Sequence, residues 1–487
     1  MGIIRVFKNK YKYVILFLFL IFISSTCQFY KINRSLDNYH EFATADQMLF
    51  SGNLLKYGLT ATKGGQVNNI NPLTGNFLYY TYHPPFATYV YALSFRIFGL
   101  SVLAGRLTSM FWFYLGVIIL YILVSKIWDK KIALLTSFFY VFFPLSQYFG
   151  KIVFRDIILM PFIYLFIYFY YLWITKRTQN YFYLMLATLF LACLTDWPAY
   201  CLAPLIIIHF CWMLKNKDKR IFLLLIIEAF TLGVFLLHNY FLTGSFAGTQ
   251  SQWPAYLGGK ILGVFEHGIS ARLRWGILWS YSFYFRFLEY FLYSFTLTAI
   301  LLIFYFCRKF NNFSKYTFYI FVPSTPFLYG IIFPGVSFDH MFYHFYLAAT
   351  IAIICALAVS KFSKKFLILF CAVFLIFSVM NINVLYKMNN TSQDALMLGK
   401  IIPTISSPQE GVALSEPFYW PFIEYFGERK ILYDVNNWER LSYIFTSGKV
   451  RYFITNFKDF QEYLIKRFPA VSLPDSFVLF DFFSQKK

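Results

Sequence analysis

Residues 82–131 read YHPPFATYVYALSFRIFGLSVLAGRLTSMFWFYLGVIILYILVSKIWDKK. Two apolar runs lie in this stretch, and they ask for different treatment. The run 102–124 is long enough for a helix to cross the hydrocarbon of a bilayer, which takes about 20 residues. It leads into Lys126, Lys130 and Lys131, a basic cluster of the kind retained on the cytoplasmic side. The run 84–98 is short, opens on Pro84-Pro85 and stops at Gly99. It reads as a helix that lies in the outer leaflet or dips into it. Counted as a crossing, it would put the next basic cluster on the wrong side.

The rest of the chain follows from that choice. Further apolar runs cover 13–30, 132–149, 157–174, 181–194, 198–214, 221–242, 283–306, 316–333, 342–359 and 366–385. Basic clusters punctuate them: Arg5-Lys8-Lys10-Lys12, Lys176-Arg177, Lys215-Lys217-Lys219-Arg220, Arg308-Lys309-Lys315 and Lys361-Lys364-Lys365. All stay inside if 84–98 does not cross. The expectation is an α-helical polytopic membrane protein with about eleven transmembrane helices, its N-terminus inside and its C-terminal end outside. A plasma membrane location is expected. Residues 1–385 form the transmembrane domain, with 31–100 as a first extracytoplasmic loop carrying interfacial helices. Residues 386–487 form a soluble extracytoplasmic domain.

Composition agrees. Of 487 residues, 59% are hydrophobic and only 13% charged, with a mean hydropathy of +0.57. A soluble domain carries about 25% charged residues. The net charge of +21 would point to nucleic acid in a soluble protein, but here it fixes topology, and no nucleic-acid partner is expected. The seven cysteines lie in apolar segments without a CxxC pair and read as small hydrophobes. The run 13–30 is longer than a signal core and lacks a small-x-small cleavage site, so it reads as a retained anchor.

The last hundred or so residues change character. Residues 412–414, 431–433, 452–455 and 477–480 read as short buried strands, and 394–402, 418–426, 437–447 and 457–468 as helices. That alternation predicts a small α/β domain. It has no Gly-rich nucleotide loop, so no cofactor is assigned to it.

The chemistry-bearing residues fall mostly in the outer loops. In the first, Asp37 precedes a helix expected from Glu41 to about Gly58, with Phe42, Ala45, Leu49 and Phe50 on one face against the membrane surface. Asp37 reads either as a simple N-cap or as a general base, and the two roles are compatible. His40 and Glu41 beside it are candidate substrate contacts. His83 stands at the helix start made by Pro84-Pro85, either as a locally bonded interfacial histidine or as a donor to an anion. In the second outer loop, Arg155 and Asp156 snorkel or form a structural ion pair, or else Arg155 or Lys151 binds a phosphate and Asp156 orients a catalytic group or a metal. Later loops add Arg272, Arg274, His340, Tyr343 and His344. His340 and His344 are four apart, as metal ligands on one helix face are, so a divalent metal stays open. There is no Walker loop, GxSxG elbow or EF-hand.

The ordered set of motifs resembles the GT-C superfamily of lipid-linked glycosyltransferases, specifically the family 39, protein-mannosyltransferase-like group. The set runs over nearly the whole chain: one helix, an acidic first outer loop, Leu54-Leu55-Lys56-Tyr57-Gly58, His83-Pro84-Pro85, Phe98-Gly99, Arg106-Leu107, Pro144, an acid in the second outer loop, Asp196-Trp197-Pro198 and Asp339-His340. The resemblance implies that Asp37 is the catalytic base and that Asp156 is the second-loop acid. It also implies a polyprenyl-phosphate-linked sugar as donor, whose phosphate leaves as the sugar moves. Protein mannosyltransferases carry Asp-Glu where this chain has Asp37-Asn38, with Glu41 nearby. The acceptor is therefore left as a glycan, a lipid or a protein. Arg155, Lys151, Arg272 or Arg274 would meet the departing phosphate. A transporter or flippase of lipid-linked sugar would want charge in mid-helix, where Glu228 and Glu289 are the chief acids. A non-catalytic assembly subunit of the same fold is the third reading. The weight of acids in outer loops favours the enzyme.

Overall fold

The computed structural model describes residues 2–36, 38, 40–245, 268–309, 317–332, 341–388, 393–415, 421–433 and 435–484, with all their side chains but those of 2–10, 268–286, 309, 393, 421 and 424. The chain divides into two compact units. One holds Met1–Arg34, Tyr82–Ala87 and Val102–Met388; the other holds Ser35–Thr81, Thr88–Ser101 and Asn389–Lys487.

The first unit is helical. Among the described residues seven helices are long and apolar enough to cross a membrane: Tyr11–Phe29, Val102–Ile127, Arg155–Lys176, Lys219–Thr243, Phe287–Arg308, Met341–Val359 and Lys364–Lys387. Four shorter or broken apolar segments alternate with them: Lys130–Phe142 continued by Pro144–Phe149, Gln179–Thr195, Trp197–Met213, and Thr317–Phe321 continued to Phe327–Ile332. With the seven they make eleven apolar segments among the described residues, as many as the crossings expected from sequence. The helix Phe86–Phe98 has 13 residues, about 20 Å, and is too short to span about 30 Å of hydrocarbon.

Local chemistry explains the breaks. Asp129 caps the helix Lys130–Phe142, its Oδ1 accepting from the Ile132 N–H at 2.8 Å. That helix ends at Phe143, and Pro144 restarts it, because proline has no N–H to give back to the preceding turn. At Gly150 a Cβ would stand 2.5 Å from the Ser146 carbonyl oxygen and 2.6 Å from Gln28 Nε2, so only glycine fits.

The second unit carries the seven strands found among the described residues. β1 (Gln66–Ile70) and β2 (Phe77–Tyr80) make an antiparallel hairpin. β3 (Gly411–Leu414), β4 (Lys430–Leu432), β5 (Val450–Thr455), β6 (Ala470–Ser472) and β7 (Val478–Asp481) form a sheet in the order β4-β3-β5-β7-β6. β3 pairs with β4 and β5 in parallel, while β7 pairs antiparallel with β5 and β6. Helices Trp438–Ser447 and Lys458–Leu464 pack Leu441, Ile444, Phe460 and Leu464 into one core with Phe453 and Phe480. This is the small α/β fold expected of the tail.

Two expectations about the first loop change. The helix Glu41–Ala61 was expected to rest one apolar face on the membrane. It is instead buried on nearly every side from Glu41 to Ser51, Glu41 and Asp46 included. Its polar residues find partners: Gln47 Nε2 donates to Thr88 Oγ1 at 3.2 Å, Thr88 Oγ1 donates to Gln66 Oε1 at 2.8 Å, and Ser51 Oγ donates to the Thr88 carbonyl at 3.1 Å. The cap also differs. The helix starts at Glu41, so the N-cap position is His40, which sits at φ 61° and gives no side-chain cap bond. Asp37 itself lies outside the described residues.

The first loop and the tail belong to one unit: Asn69 Nδ2 donates to the Ile431 carbonyl at 3.1 Å, and Lys449 Nζ to the Leu73 carbonyl at 2.5 Å.

Candidate functional site

The polar centre of the first unit is built from three places in the chain. The residues after β2 bring Tyr82 and His83. The junction between the helix Gln179–Thr195 and the 3-10 turn Trp197–Cys201 brings Asp196 and Trp197. The start of the helix Arg155–Lys176 brings Arg155 and Asp156.

Asp196 lies where one helix has ended and Pro198 begins the next turn. Its Oδ1 accepts from the Trp197 N–H at 2.8 Å and meets His83 Nδ1 at 2.7 Å. The indole Nε1 of Trp197 donates to the Tyr82 carbonyl at 2.5 Å. Two adjacent residues thus grip two adjacent residues, by one charged and one neutral hydrogen bond.

The charges of this pair are set by their surroundings. Burial opposes ionisation of Asp196, yet His83, Arg155 and the Trp197 N–H together hold its carboxyl below the usual carboxylate range. Burial and the Arg155 cation push His83 below its ordinary value, against the pull of Asp196. At neutral pH the state is a carboxylate accepting the Nδ1–H of a neutral imidazole. Nε2 is then the acceptor nitrogen of His83.

Asp156 occupies the first turn of its helix, where the helix dipole favours an anion. It is 3% exposed and accepts from the Tyr346 hydroxyl on its Oδ1, while its Oδ2 has no hydrogen-bond partner among the described residues. Arg155, 6% exposed, lies close enough to interact with Asp156, Asp196 and His83. One guanidinium therefore lies beside two acidic side chains in an apolar surround. The cluster is rich in acceptors, which suits a ligand rich in hydroxyl donors.

A second group gathers cations. The Tyr386 ring lies 4.9 Å from Lys31 Nζ, 5.0 Å from the Arg34 guanidinium and 5.2 Å from Lys151 Nζ. Arg34 also lies 4.2 Å over Tyr148. Lys151 is fully buried, and its ammonium donates to the carbonyls of Gln28, at 2.8 Å, and Tyr30, where the first helix ends. That is the place where a cation offsets the helix dipole. Arg106, also fully buried, donates to the carbonyls of Ile32 at 2.5 Å and Arg34 at 2.8 Å, fixing the chain as it leaves that helix.

The other candidate residues disperse. His40 and Glu41 are buried at the start of their helix in the second unit. Tyr343 lies 6.1 Å, ring to ring, from Tyr346. His344 is enclosed by Phe287, Phe291 and Phe327, with ring distances of 4.8, 6.4 and 5.9 Å, in a 3-10 helix where residues four apart do not share a face. Asp339, His340 and the side chains of Arg272 and Arg274 lie outside the described residues. Among the described residues, no three His, Cys, Asp or Glu side chains gather as a metal site. Asp196, Trp197, Tyr346, Lys31 and Arg34 were not among the residues singled out for the site. For Asp196 a signal existed: an acid between two apolar runs, followed by Trp-Pro.

The family model for dolichyl-phosphate-mannose-protein mannosyltransferases matches residues 82–240, a stretch that holds His83, Arg155, Asp156 and Asp196. ArnT from Cupriavidus metallidurans, in its apo crystal structure, superposes with a TM-score of 0.65 at 12% identity, covering 97% of this chain and 98% of that one. The chain has the GT-C fold. The same ArnT bound to undecaprenyl phosphate gives a TM-score of 0.61 with the same coverage. The oligosaccharyltransferase of Archaeoglobus fulgidus, tethered to an acceptor peptide, gives 0.54 at 14% identity over 92% of this chain and 69% of that one. A sequence search of curated proteins finds no match. Within the GT-C fold, then, the chain is an integral membrane protein whose buried polar cluster lies at the loop ends of its helices.

Proposed function

We propose that this protein is a glycosyltransferase that moves a sugar from a polyprenyl-phosphate carrier to an acceptor hydroxyl on the outer face of the membrane. The observation that carries the reading is the His83–Asp196–Arg155–Asp156 cluster, a buried set of hydrogen-bond acceptors within a GT-C fold. Solved proteins of this fold support the donor class: ArnT was crystallised with undecaprenyl phosphate, and the archaeal oligosaccharyltransferase AglB with a dolichol-phosphate and an inhibitory peptide.

The chemistry divides between the two groups of residues. The acceptor oxygen attacks the anomeric carbon, the bond from that carbon to the phosphate oxygen breaks, and the polyprenyl phosphate leaves with the electron pair. Asp37, by the resemblance, takes the acceptor's proton. Asp196, Asp156 and His83 accept the hydroxyls of the transferred sugar and hold it in line. Lys31 and Arg34, with Lys151 behind them, meet the charge that grows on the phosphate. Such a donor enters from the lipid, so no nucleotide-binding loop is needed.

The test is incubation of the purified chain with a panel of radiolabelled polyprenyl-phosphate sugars, scored for release of the lipid phosphate and for transfer. Release from one carrier, lost in Asp37→Asn, supports the reading. Carriers left intact across the whole panel would sink it.

A further inference from the structure

The second unit contains a cleft that the transfer chemistry leaves unused. Its volume is about 290 Å³, near the lower end of small-molecule sites. Its walls come from three distant pieces of sequence: the helix Glu41–Ala61, β1, and the turn between the helix Pro421–Gly427 and β4. Asn53 fixes the wall, its Nδ2 donating to the Val67 carbonyl at 2.8 Å.

The lining chooses the class of ligand. Lys56 and Lys430 face the cleft and pair with no carboxylate among the described residues. Arg429 is committed elsewhere, its guanidinium donating to the carbonyls of Ser406 at 2.7 Å and Pro403 at 3.3 Å. The one described carboxylate in the lining, Glu428, is exposed. The balance of the cleft is cationic. The Asn68 side chain adds an amide to the lining. Tyr57 and Tyr425 supply rings.

Each feature narrows the choice. An apolar ligand would leave two ammonium groups stranded. A bare anion would use the lysines and ignore the rings and the amide. Tyrosine faces take the C–H face of a sugar ring, an amide oxygen takes a hydroxyl, and an ammonium takes a carboxylate or phosphate. We propose that this cleft binds an acidic saccharide, a sugar residue carrying a carboxylate or phosphate. The identification of that saccharide with part of the acceptor, or of the finished glycan, rests on the glycosyltransferase reading above; the binding itself does not.

The experiment is a calorimetric titration of the full chain in detergent, without donor. Three probes are compared: a glucuronate-containing tetrasaccharide, the same tetrasaccharide with its carboxyl groups reduced, and inorganic phosphate. The acidic tetrasaccharide should bind at least tenfold more tightly than the reduced one. The K56Q/K430Q double variant should lose about tenfold or more of that affinity while its thermal unfolding matches the parent, and Lys430→Arg should keep it. Equal binding of acidic and reduced forms, no binding of either, phosphate binding as tightly as the saccharide, or a double variant that binds like the parent would each overturn the proposal. Because no donor is present, a variant such as Asp196→Asn that abolishes transfer and leaves this binding intact bears on the transferase reading alone.

Discussion

His83 Nδ1 and Asp196 Oδ1 lie 2.7 Å apart, although 113 residues separate them in sequence. The contact joins a half-buried neutral imidazole to a buried carboxylate that Arg155 helps to keep ionised. Breaking it by Asp196→Ala leaves Arg155 short of a counter-charge in an apolar surround. Such losses cost about 3–5 kcal/mol. We expect a clear fall in thermal unfolding temperature in detergent, together with loss of transfer. An unfolding temperature within a degree of the parent would show that the pair contributes little.

The same pair gives a pH dependence. His83 has its folded-state value lowered, so the unfolded chain binds the proton more readily. Its contribution to stability is complete above the ordinary histidine value of about 6.5 and is lost as pH falls through the lowered folded value. Asp196, also lowered, adds a second loss at more acid pH, below about 4. Stability should therefore decline between pH 7 and 5, and His83→Gln should flatten that part of the curve. An unchanged slope in the variant would assign the decline to other groups.

Trp197→Phe removes one hydrogen bond and keeps the ring. The Tyr82 carbonyl then loses its indole donor, at a cost of about 1–3 kcal/mol. Apparent KM for the donor should rise more than kcat falls, because the grip on the Tyr82-His83 backbone loosens while the reacting groups remain.

Arg34→Gln tests the cationic group around Tyr386. A charge-assisted contact to phosphate is worth about 1.5–3 kcal/mol, so donor affinity should fall by about ten- to a hundredfold. Unaltered donor affinity would leave Arg34 as a stacking partner of Tyr148 and Tyr386.

Asp37→Asn addresses the base directly. The N-cap position of the helix Glu41–Ala61 is His40, so the substitution takes no cap from that helix. Turnover should drop by about 10²–10⁴-fold with donor binding kept. Near-full activity would move the role to another acid.

Sidedness is tested with single cysteines in a cysteine-free background. Ser442 and Lys130 are both exposed, so each can report. Ser442→Cys should react with an impermeant thiol reagent applied from outside, and Lys130→Cys should not. The reverse pattern would invert the protein in the membrane.

The membrane segments were legible because hydropathy is local: each needs only its own run of apolar residues. Four of the five tail strands were legible for the same reason, with Val412, Ile431, Phe453 and Leu479 each marking a short buried run, whereas the more exposed β6 carries no such run. What stayed hidden was non-local. Nothing near His83 announces Asp196, and nothing near Asp156 announces Tyr346. The burial of Glu41 to Ser51 was missed because Gln47 and Ser51 there bond to Thr88, and local hydropathy sees only their polarity. Lys151 looked like an available cation, but its ammonium donates to carbonyls at the end of the first helix.

The bond from Asn69 to the Ile431 carbonyl spans 362 residues. In a chain made from its N-terminus, the hairpin of β1 and β2 is synthesised long before β4 exists. The early loop must then wait, with its edge uncovered, through the synthesis of every helix from Val102 to Lys387. Maturation of this protein is thus set by its last hundred or so residues, and a stalled or truncated nascent chain would leave that loop as a target for quality-control proteases.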